Sequence, residues 1–323
     1  MVGQADIPVV SLAALRSGDA RAMERAARAF GAALEEIGFV TIVDHGVPQA
    51  EVAALYGLAK NFFALPPEQK LGCMLAEQTK PYGYIPLGLE SVAATLTGEE
   101  APDLCEALVF RRPELDGRDG RSNLWPPGMP ELKPAVLCYF QTLARLARDL
   151  YRLSETALDL PAGYLAPYFE EPSFTLRLVN YPEQPTPPQV GQLRYGAHHD
   201  YSGLTILHQD DAPGGLQVCD RDGAWRDVPH RPGAFIINVG ELLSRWTNDR
   251  WRSTLHRVVN PPRDARGSTQ RLSVVFFTGP DRASEIGVLP SCVSDANPAK
   301  YPPVNAGEYT RAKVAASHDL RRV

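Results

Sequence analysis

The sequence predicts a mainly β fold, a barrel or double-sheet jelly roll, preceded by a mixed region of helices and short strands. Three observations carry this. From Phe174 onward, short runs of β-prone residues alternate with turn signals, the pattern of a closed or two-sheet β architecture. Ahead of that point, two stretches repeat their apolar residues at three- and four-residue steps, as amphipathic helices do. Between the two regions, Leu132 to Leu158 carries Val136, Phe140, Leu143, Leu150 and Ala157 at helical spacing and is long enough to serve as the backbone helix.

The elements follow in order. Ile7-Pro8-Val9-Val10 reads as a short strand. Asp19 is placed to cap a helix whose buried face is Met23, Ala26, Phe30, Ala33 and Ile37. Phe39 to Val43 is a strand-like apolar run. A second helix presents Val52, Leu55, Ala59, Phe62 and Phe63, and Leu65-Pro66-Pro67 stops it. Residues 78 to 128, rich in Pro, Gly and acidic groups, are expected to be loop with short strands. The catalytic half then offers strands at Leu204–Leu207, Leu216–Val218, Ala224-Trp225, Ala234–Ile237, His256–Val259 and Leu272–Phe277. Gly214-Gly215, Arg221-Asp222-Gly223, Pro232-Gly233 and Asn260-Pro261-Pro262 turn the chain between them. Residues 1–125 are expected to form an amino-terminal region packed on the core, and 126–323 the long helix with the catalytic jelly roll.

Composition narrows the function. The 323 residues are 44% hydrophobic and 22% charged, ordinary for a chain with a sizeable core. A net charge of −5 argues against nucleic acid, which asks for a basic face. No apolar run approaches a membrane span, and the opening residues Met1 to Asp6 lack the basic and apolar regions of a signal peptide, so a cytoplasmic protein is expected. Cys73, Cys105, Cys138, Cys219 and Cys292 are scattered, with no C-x-x-C pair, and are expected to be reduced packing residues. Nothing points to an obligatory protein partner.

His198-His199-Asp200, with the distant His256, carries the chemistry. In an extended strand alternate side chains share a face, so His198 and Asp200 point together and His199 points away. With His256 from another strand they make a two-histidine, one-carboxylate face, the set that holds non-haem Fe(II) with positions open for a co-substrate and O2. As distal ligand, His208 competes as a core or rim histidine, and His230, in a turn beside Pro229 and Pro232, is expected to be exposed. Zinc accepts the same three groups. The balance is tipped by Arg271 and Ser273, two apart on one strand face, where a guanidinium fork and a hydroxyl can grip a small carboxylate. Arg266-Gly267-Ser268 also reads R-x-S, but Asp264, Gly267, Ser268 and Thr269 suggest a flexible loop without a common face, whereas Arg271-Leu272-Ser273 runs straight into Val274-Val275-Phe276-Phe277.

These residues resemble the isopenicillin N synthase-like family of Fe(II)- and 2-oxoglutarate-dependent dioxygenases, over nearly the whole length. Similar segments are Ile7–Leu12, Gly38-Phe39-Val40, Asp44–Val47, Phe62–Pro66 and Tyr82-Gly83-Tyr84 in the first part. In the second they are Asn180-Tyr181-Pro182, His198-x-Asp200, Gly203–Leu207, Gln209-Asp210, Gly214–Val218, Pro232-Gly233-Ala234, Asn238-Val239-Gly240, Trp246-Thr247-Asn248, Ser253-Thr254-x-His256-Arg257-Val258 and Arg271-x-Ser273. The resemblance implies a distorted double-stranded β-helix (jelly roll) with an N-terminal α/β region around it. It also implies Fe(II) on His198, Asp200 and His256, 2-oxoglutarate held by Arg271 and Ser273 with Tyr181 nearby, and O2 as the oxidant. His45 belongs to a motif that looks structural in the family. Two departures stand out: the His256–Arg271 interval suggests an inserted loop around Arg263–Thr269, and Glu241 and Asp249 replace the commoner Asp and Gly.

The implied activity is oxidation of an unactivated C–H bond of a small molecule, hydroxylation foremost and desaturation or cyclisation by the same route, with succinate and CO2 as co-products. The alternatives are an Fe(II) oxidase of the same fold that does not use 2-oxoglutarate, and a non-catalytic jelly-roll binding protein. Tyr82, Tyr84, Phe110, Arg194 and Phe277 are candidate pocket residues, with Arg194 leaning to the solvent edge.

Overall fold

The computed structural model describes residues 3–74, 82–97, 101–113 and 122–317. In chain order the strands and helices are β1 (Val9–Ser11), α1 (Ala14–Ser17), α2 (Ala20–Glu36), β2 (Phe39–Val43), α3 (Gln49–Phe63), α4 (Pro67–Leu71), β3 (Gly83–Ile85), α5 (Ala94–Thr97), β4 (Glu106–Arg111) and α6 (Leu132–Ala157). Then come β5 (Thr175–Tyr181), β6 (Tyr195–His198), β7 (Leu204–Gln209), β8 (Leu216–Cys219), β9 (Trp225–Asp227), β10 (Phe235–Val239), α7 (Glu241–Trp246), β11 (His256–Val258), β12 (Arg271–Phe277), β13 (Glu285–Ile286), β14 (Val304–Asn305) and α8 (Ala306–Ser317).

An eight-stranded sheet runs β1-β2-β10-β7-β12-β5-β4-β3, and a four-stranded sheet runs β6-β11-β8-β9. The two lie face to face, because side chains of both sheets meet in shared apolar clusters. Phe39, Ile236 and Leu207 of the large sheet pack with Leu216 and Val218 of the small one. Val179, Tyr181 and Val275 pack with Val258 and Tyr195. This is the expected jelly roll.

Alternation gives the large sheet two different faces. On β12, Leu272, Val274 and Phe276 enter the main core with the helices, where Phe276 meets the α6 residue Phe140 edge-on at 4.9 Å between centroids. Arg271, Ser273, Val275 and Phe277 point the other way, toward the small sheet. Truncating a ring packed like Phe276 costs about 3–5 kcal/mol, so the helical layer is what holds this sheet in place. Helix α6 supplies that layer through Leu132, Val136, Phe140, Leu143, Leu150 and Ala157, all buried.

Local signals set the boundaries. Asp19 caps α2 by accepting from the Arg21 and Ala22 amides. Gly38 then turns the chain into β2 with φ +74°, and a Cβ there would collide with the Arg252 carbonyl and the Thr254 hydroxyl. Leu65-Pro66 ends α3 as expected, but Pro67 also opens the short α4, since proline is tolerated in a first turn. The strands β3 and β4 fall within the stretch read as loop with short strands; its residues 78–81, 98–100 and 114–121 lie outside the described residues. Cys73, Cys105 and Cys292 are buried, but Cys138 on α6 is exposed, so it is not the packing residue expected. Among the described residues no helix is long and apolar enough to cross a membrane.

Candidate functional site

β6 and β11 are paired with His198 opposite His256, which brings the two imidazoles to 4.2 Å between ring centroids. Each ring is fixed from behind. Nδ1 of His198 donates to the Gly196 carbonyl and Nδ1 of His256 to the Thr254 carbonyl, both at 2.9 Å. A carbonyl can only accept, so each Nε2 is left as a bare lone pair facing inward. The Thr254 hydroxyl in turn donates to the Ile37 carbonyl at 2.6 Å, which ties this ligand strand to the end of α2.

Asp200 completes the group by a route that strand alternation does not describe. β6 ends at His198, so no ladder holds the aspartate. Its Oδ2 accepts from the Thr205 hydroxyl and the Asn238 amide, each at 2.6 Å, and its carbonyl accepts from the Glu241 amide at 2.7 Å. Oδ1 is thereby aimed at the imidazoles, 3.6 Å from His198 Nε2 and 3.7 Å from His256 Nε2. Among the described residues these three form the only cluster of His, Cys, Asp or Glu whose ligand atoms lie within 4.8 Å of one another. All three are buried.

The protonation states suit a cation. Burial alone would raise the Asp200 carboxyl, but the imidazoles of His198 and His256 beside it and the Thr205 hydroxyl hold it well below the usual range. Burial, followed by the neighbouring His198, lowers His256 to about 4. Two backed imidazoles and an oriented carboxylate with one bonded and one inward oxygen are a donor set that fits Fe(II). His199, pointing away, comes within 3.5 Å of the Ser253 hydroxyl instead. His208 is a half-buried core residue bonded to Tyr56 at 2.8 Å. His230 is half-buried against Asp211 at 3.2 Å, where exposure was expected.

Farther along the inner face, β12 places Arg271 opposite Tyr181, and Ser273 between Val179 and Gln209. Arg271 is only 3% exposed. Its Nη2 donates to the Gln209 side chain, its Nη1 reaches carbonyl oxygens at 3.4–3.5 Å and the Asp210 carboxylate at 3.8 Å, and its Nε has no partner. A buried guanidinium left this short of acceptors is a site for a carboxylate. Burial pushes the Tyr181 phenol well up, so it is a neutral hydroxyl. Arg266, by contrast, lies exposed in the 263–269 loop.

The sequence as a whole matches two family profiles, the 2OG-Fe(II) oxygenase superfamily over residues 172–280 and the non-haem dioxygenase in morphine synthesis N-terminal region over 7–130. Among curated proteins, validamycin A dioxygenase of Streptomyces hygroscopicus subsp. limoneus is 30% identical over 94% of this chain and 84% of its own length. Gibberellin 20 oxidase 2 of Oryza sativa is 33% identical over 92% of this chain and 72% of its own. The chain belongs to the 2OG-Fe(II) oxygenase superfamily. The fold agrees: a full-length Neurospora crassa protein solved in complex with alpha-KG superposes with a TM-score of 0.85 at 28% identity, covering 96% of each chain. The protein is accordingly an Fe(II)- and 2-oxoglutarate-dependent dioxygenase, with O2 as co-substrate.

Within this oxygenase the candidate pocket residues fall on two different faces of the large sheet. Tyr82 joins Ala107 and Val109 on the inner face, and Phe277 lies on the same face as Arg271 and Ser273. Tyr84 and Phe110 do not: both sit in the helical core, Tyr84 against Phe62 and Phe110 stacked on Trp125. Arg194 is not at the solvent edge either. It is 0% exposed and donates to the Pro213 and Thr269 carbonyls, so it straps the loops beside Tyr181. Thr205, Asn238 and Gln209 stand in segments that resemble the family, but the sequence assigned them no role. A polar residue at the inward parity of an otherwise apolar strand, as in Phe235–Val239, was the available signal. A cavity of about 450 Å³, lined by Asn248, Arg250, Cys292, Asn297 and Lys300 among others, shares no residue with this site.

Proposed function

We propose that His198, Asp200 and His256 hold the Fe(II), and that Arg271 and Ser273 hold the far carboxylate of 2-oxoglutarate beside Tyr181. The observation that carries this is the convergence of the three ligand atoms with Asp200 Oδ2 and both Nδ1 atoms already committed elsewhere. The bound iron supplies O2-dependent oxidation, coupled to decarboxylation of 2-oxoglutarate to succinate and CO2. Everything else is done by this chain. Thr205 and Asn238 keep Asp200 Oδ1 facing the imidazoles. Gln209 holds the Arg271 fork in place, and Leu207, Ile236, Val179 and Val275 keep water from the space between.

The substrate is a small molecule, and hydroxylation of an unactivated C–H bond is the outcome, with desaturation or cyclisation open to the same site. Residues 126–323 carry the metal and co-substrate groups in this reading, while 1–125 close the substrate side through the inner residues of β3 and β4. A reducing, cytoplasmic setting is in keeping with five cysteines that are all free. The test is reconstitution with Fe(II) and 2-oxoglutarate, counting succinate per product. One succinate per product is expected; product without succinate overturns the co-substrate assignment, and full activity in His256→Ala overturns the ligands.

A further inference from the structure

One charged pair of the interior takes no part in this scheme. Arg177, on the inner face of β5, grips Glu90 through both terminal nitrogens: Nη1 donates to Oε1 at 2.9 Å and Nη2 to Oε2. The side chains are only 10% and 5% exposed. A buried ion pair is seldom more stabilising than apolar residues of the same volume. Stability alone therefore does not account for this one, which interrupts a wall of Val109, Val179, Val275 and Cys105.

Its position is close to the chemistry. Arg177 lies opposite Val275, with Ser273 and Phe277 on either side along the same face of β12. Its guanidinium stands over the Tyr195 ring at 5.5 Å, and Tyr195 meets the His198 ring edge-on at 4.8 Å. A single aromatic ring thus separates the pair from a proposed iron ligand. A guanidinium carries five N–H donors, and Glu90 draws on one from each terminal nitrogen. Donors remain for a further acceptor, while the charge of the pair is already balanced.

We propose that Arg177, held by Glu90, is a specificity-determining residue that receives a neutral hydrogen-bond acceptor of the substrate: an amide, lactam or ketone carbonyl near the C–H bond that is oxidised. This rests on the active-site reading above. A carboxylate would bring a second negative charge against Glu90 in a low-dielectric interior, whereas a carbonyl brings none. The apolar residues around the pair suit the hydrocarbon body of such a molecule. A compound lacking the acceptor would bury the remaining donors unpaired, and a site of that kind discriminates strongly.

The test uses the full chain with Fe(II) and 2-oxoglutarate under nitrogen. It is titrated with matched sets of lactams, N-acyl compounds and ketones, each beside its methylene and carboxylate counterparts. Binding is read by calorimetry and by the change in the iron–2-oxoglutarate absorption band. Carbonyl compounds are expected to respond, with counterparts about 100-fold weaker. Arg177→Met alone would take the guanidinium away from a buried carboxylate, so the informative variant is E90L/R177M. It is expected to fold and to form the band, while its dissociation constants for the responding carbonyl compounds rise about 30- to 100-fold and those of the methylene counterparts stay put. The proposal is overturned by wild-type affinity in that variant, by equal response of the counterparts, by no response from any carbonyl compound, or by failure of E90L/R177M to fold, which would make the pair architectural. Failure of the underlying reading looks different: wild-type protein would then form no band with Fe(II) and 2-oxoglutarate.

Discussion

Replacing Arg271 with leucine tests the co-substrate end of the site most directly. The guanidinium is 3% exposed, bonded well only to Gln209, and left with an unpartnered Nε. A carboxylate reaching it gains two charge-assisted hydrogen bonds, each contributing about 1.5–3 kcal/mol. Losing both amounts to about 3–6 kcal/mol, or a rise of about 10²- to 10⁴-fold in the 2-oxoglutarate concentration needed for half-maximal turnover. Folding should suffer little, because Arg194 is already depressed to about 10 by its own burial and by the charge of Arg271, and removing that charge relieves it. Arg271→Lys keeps the charge but not the fork, and should fall between. The assay is succinate formation across a 2-oxoglutarate titration, with melting temperature as the control. An unchanged requirement in Arg271→Leu, or a large one in Arg266→Leu, would refute the assignment.

The other expectations are shorter. His256→Ala should abolish turnover and tight binding of Mn(II) as an Fe(II) substitute, measured by calorimetry. Asn238→Leu or Thr205→Val should weaken that metal binding by about 10- to 100-fold, since each removes a hydrogen bond that aims Asp200. Burial, then the charges of His230 and His45, lower His208 to about 4, whereas an unfolded imidazole titrates near 6.5. The unfolded chain thus takes up a proton that the folded one refuses, and stability present above pH 6.5 falls by about 2 kcal/mol at pH 5. Urea midpoints of wild type and His208→Gln at both pH values should show that difference shrinking in the variant. Gly38→Ala should cost about 3 kcal/mol by thermal unfolding, because alanine is strained at φ +74° and its Cβ meets the Arg252 carbonyl.

The parts of the fold that sequence disclosed are those specified locally. Asp19 capped its helix, α6 came within one residue of its expected span, and the strand at Arg271–Phe277 announced itself by a continuous apolar run. The three residues of the proposed metal site stood out for the same reason: two side chains two residues apart, and a third in a recognisable motif. What stayed hidden depends on partners distant in sequence. Nothing near Asn238 says that it will meet Asp200, and nothing near Gly196 says that its carbonyl will back His198. The short helices α1, α4, α5 and α7 were missed because few residues define each and tertiary contacts decide them, and α8 was missed because its apolar residues gather on no one face.

The pocket errors have a sharper cause. Tyr84 and Phe110 fail as wall residues while Tyr82 and Phe277 reach the inner face, although all are aromatic residues of strands or strand edges. Parity separates Phe110 from Ala107 and Val109 and puts Phe277 with Arg271 and Ser273. Tyr82 and Tyr84, however, are two apart and share a parity; Tyr82 lies just before β3, and Gly83 with φ +78° breaks the alternation between them. Parity is readable from sequence only when one face is polar, and here both are apolar: Leu108 and Phe110 face the helices, Ala107 and Val109 the interior. The same two-sided apolarity makes Arg177 informative. A charged residue at the inward parity of β5 cannot have been placed there by the core, which needs none, and its partner Glu90 comes from a segment far away in sequence. Chemistry common to the superfamily is therefore written in short local motifs. Where a strand departs from its own apolar pattern, as β5 does at Arg177, the wall facing the proposed metal group carries a side chain that packing alone does not call for.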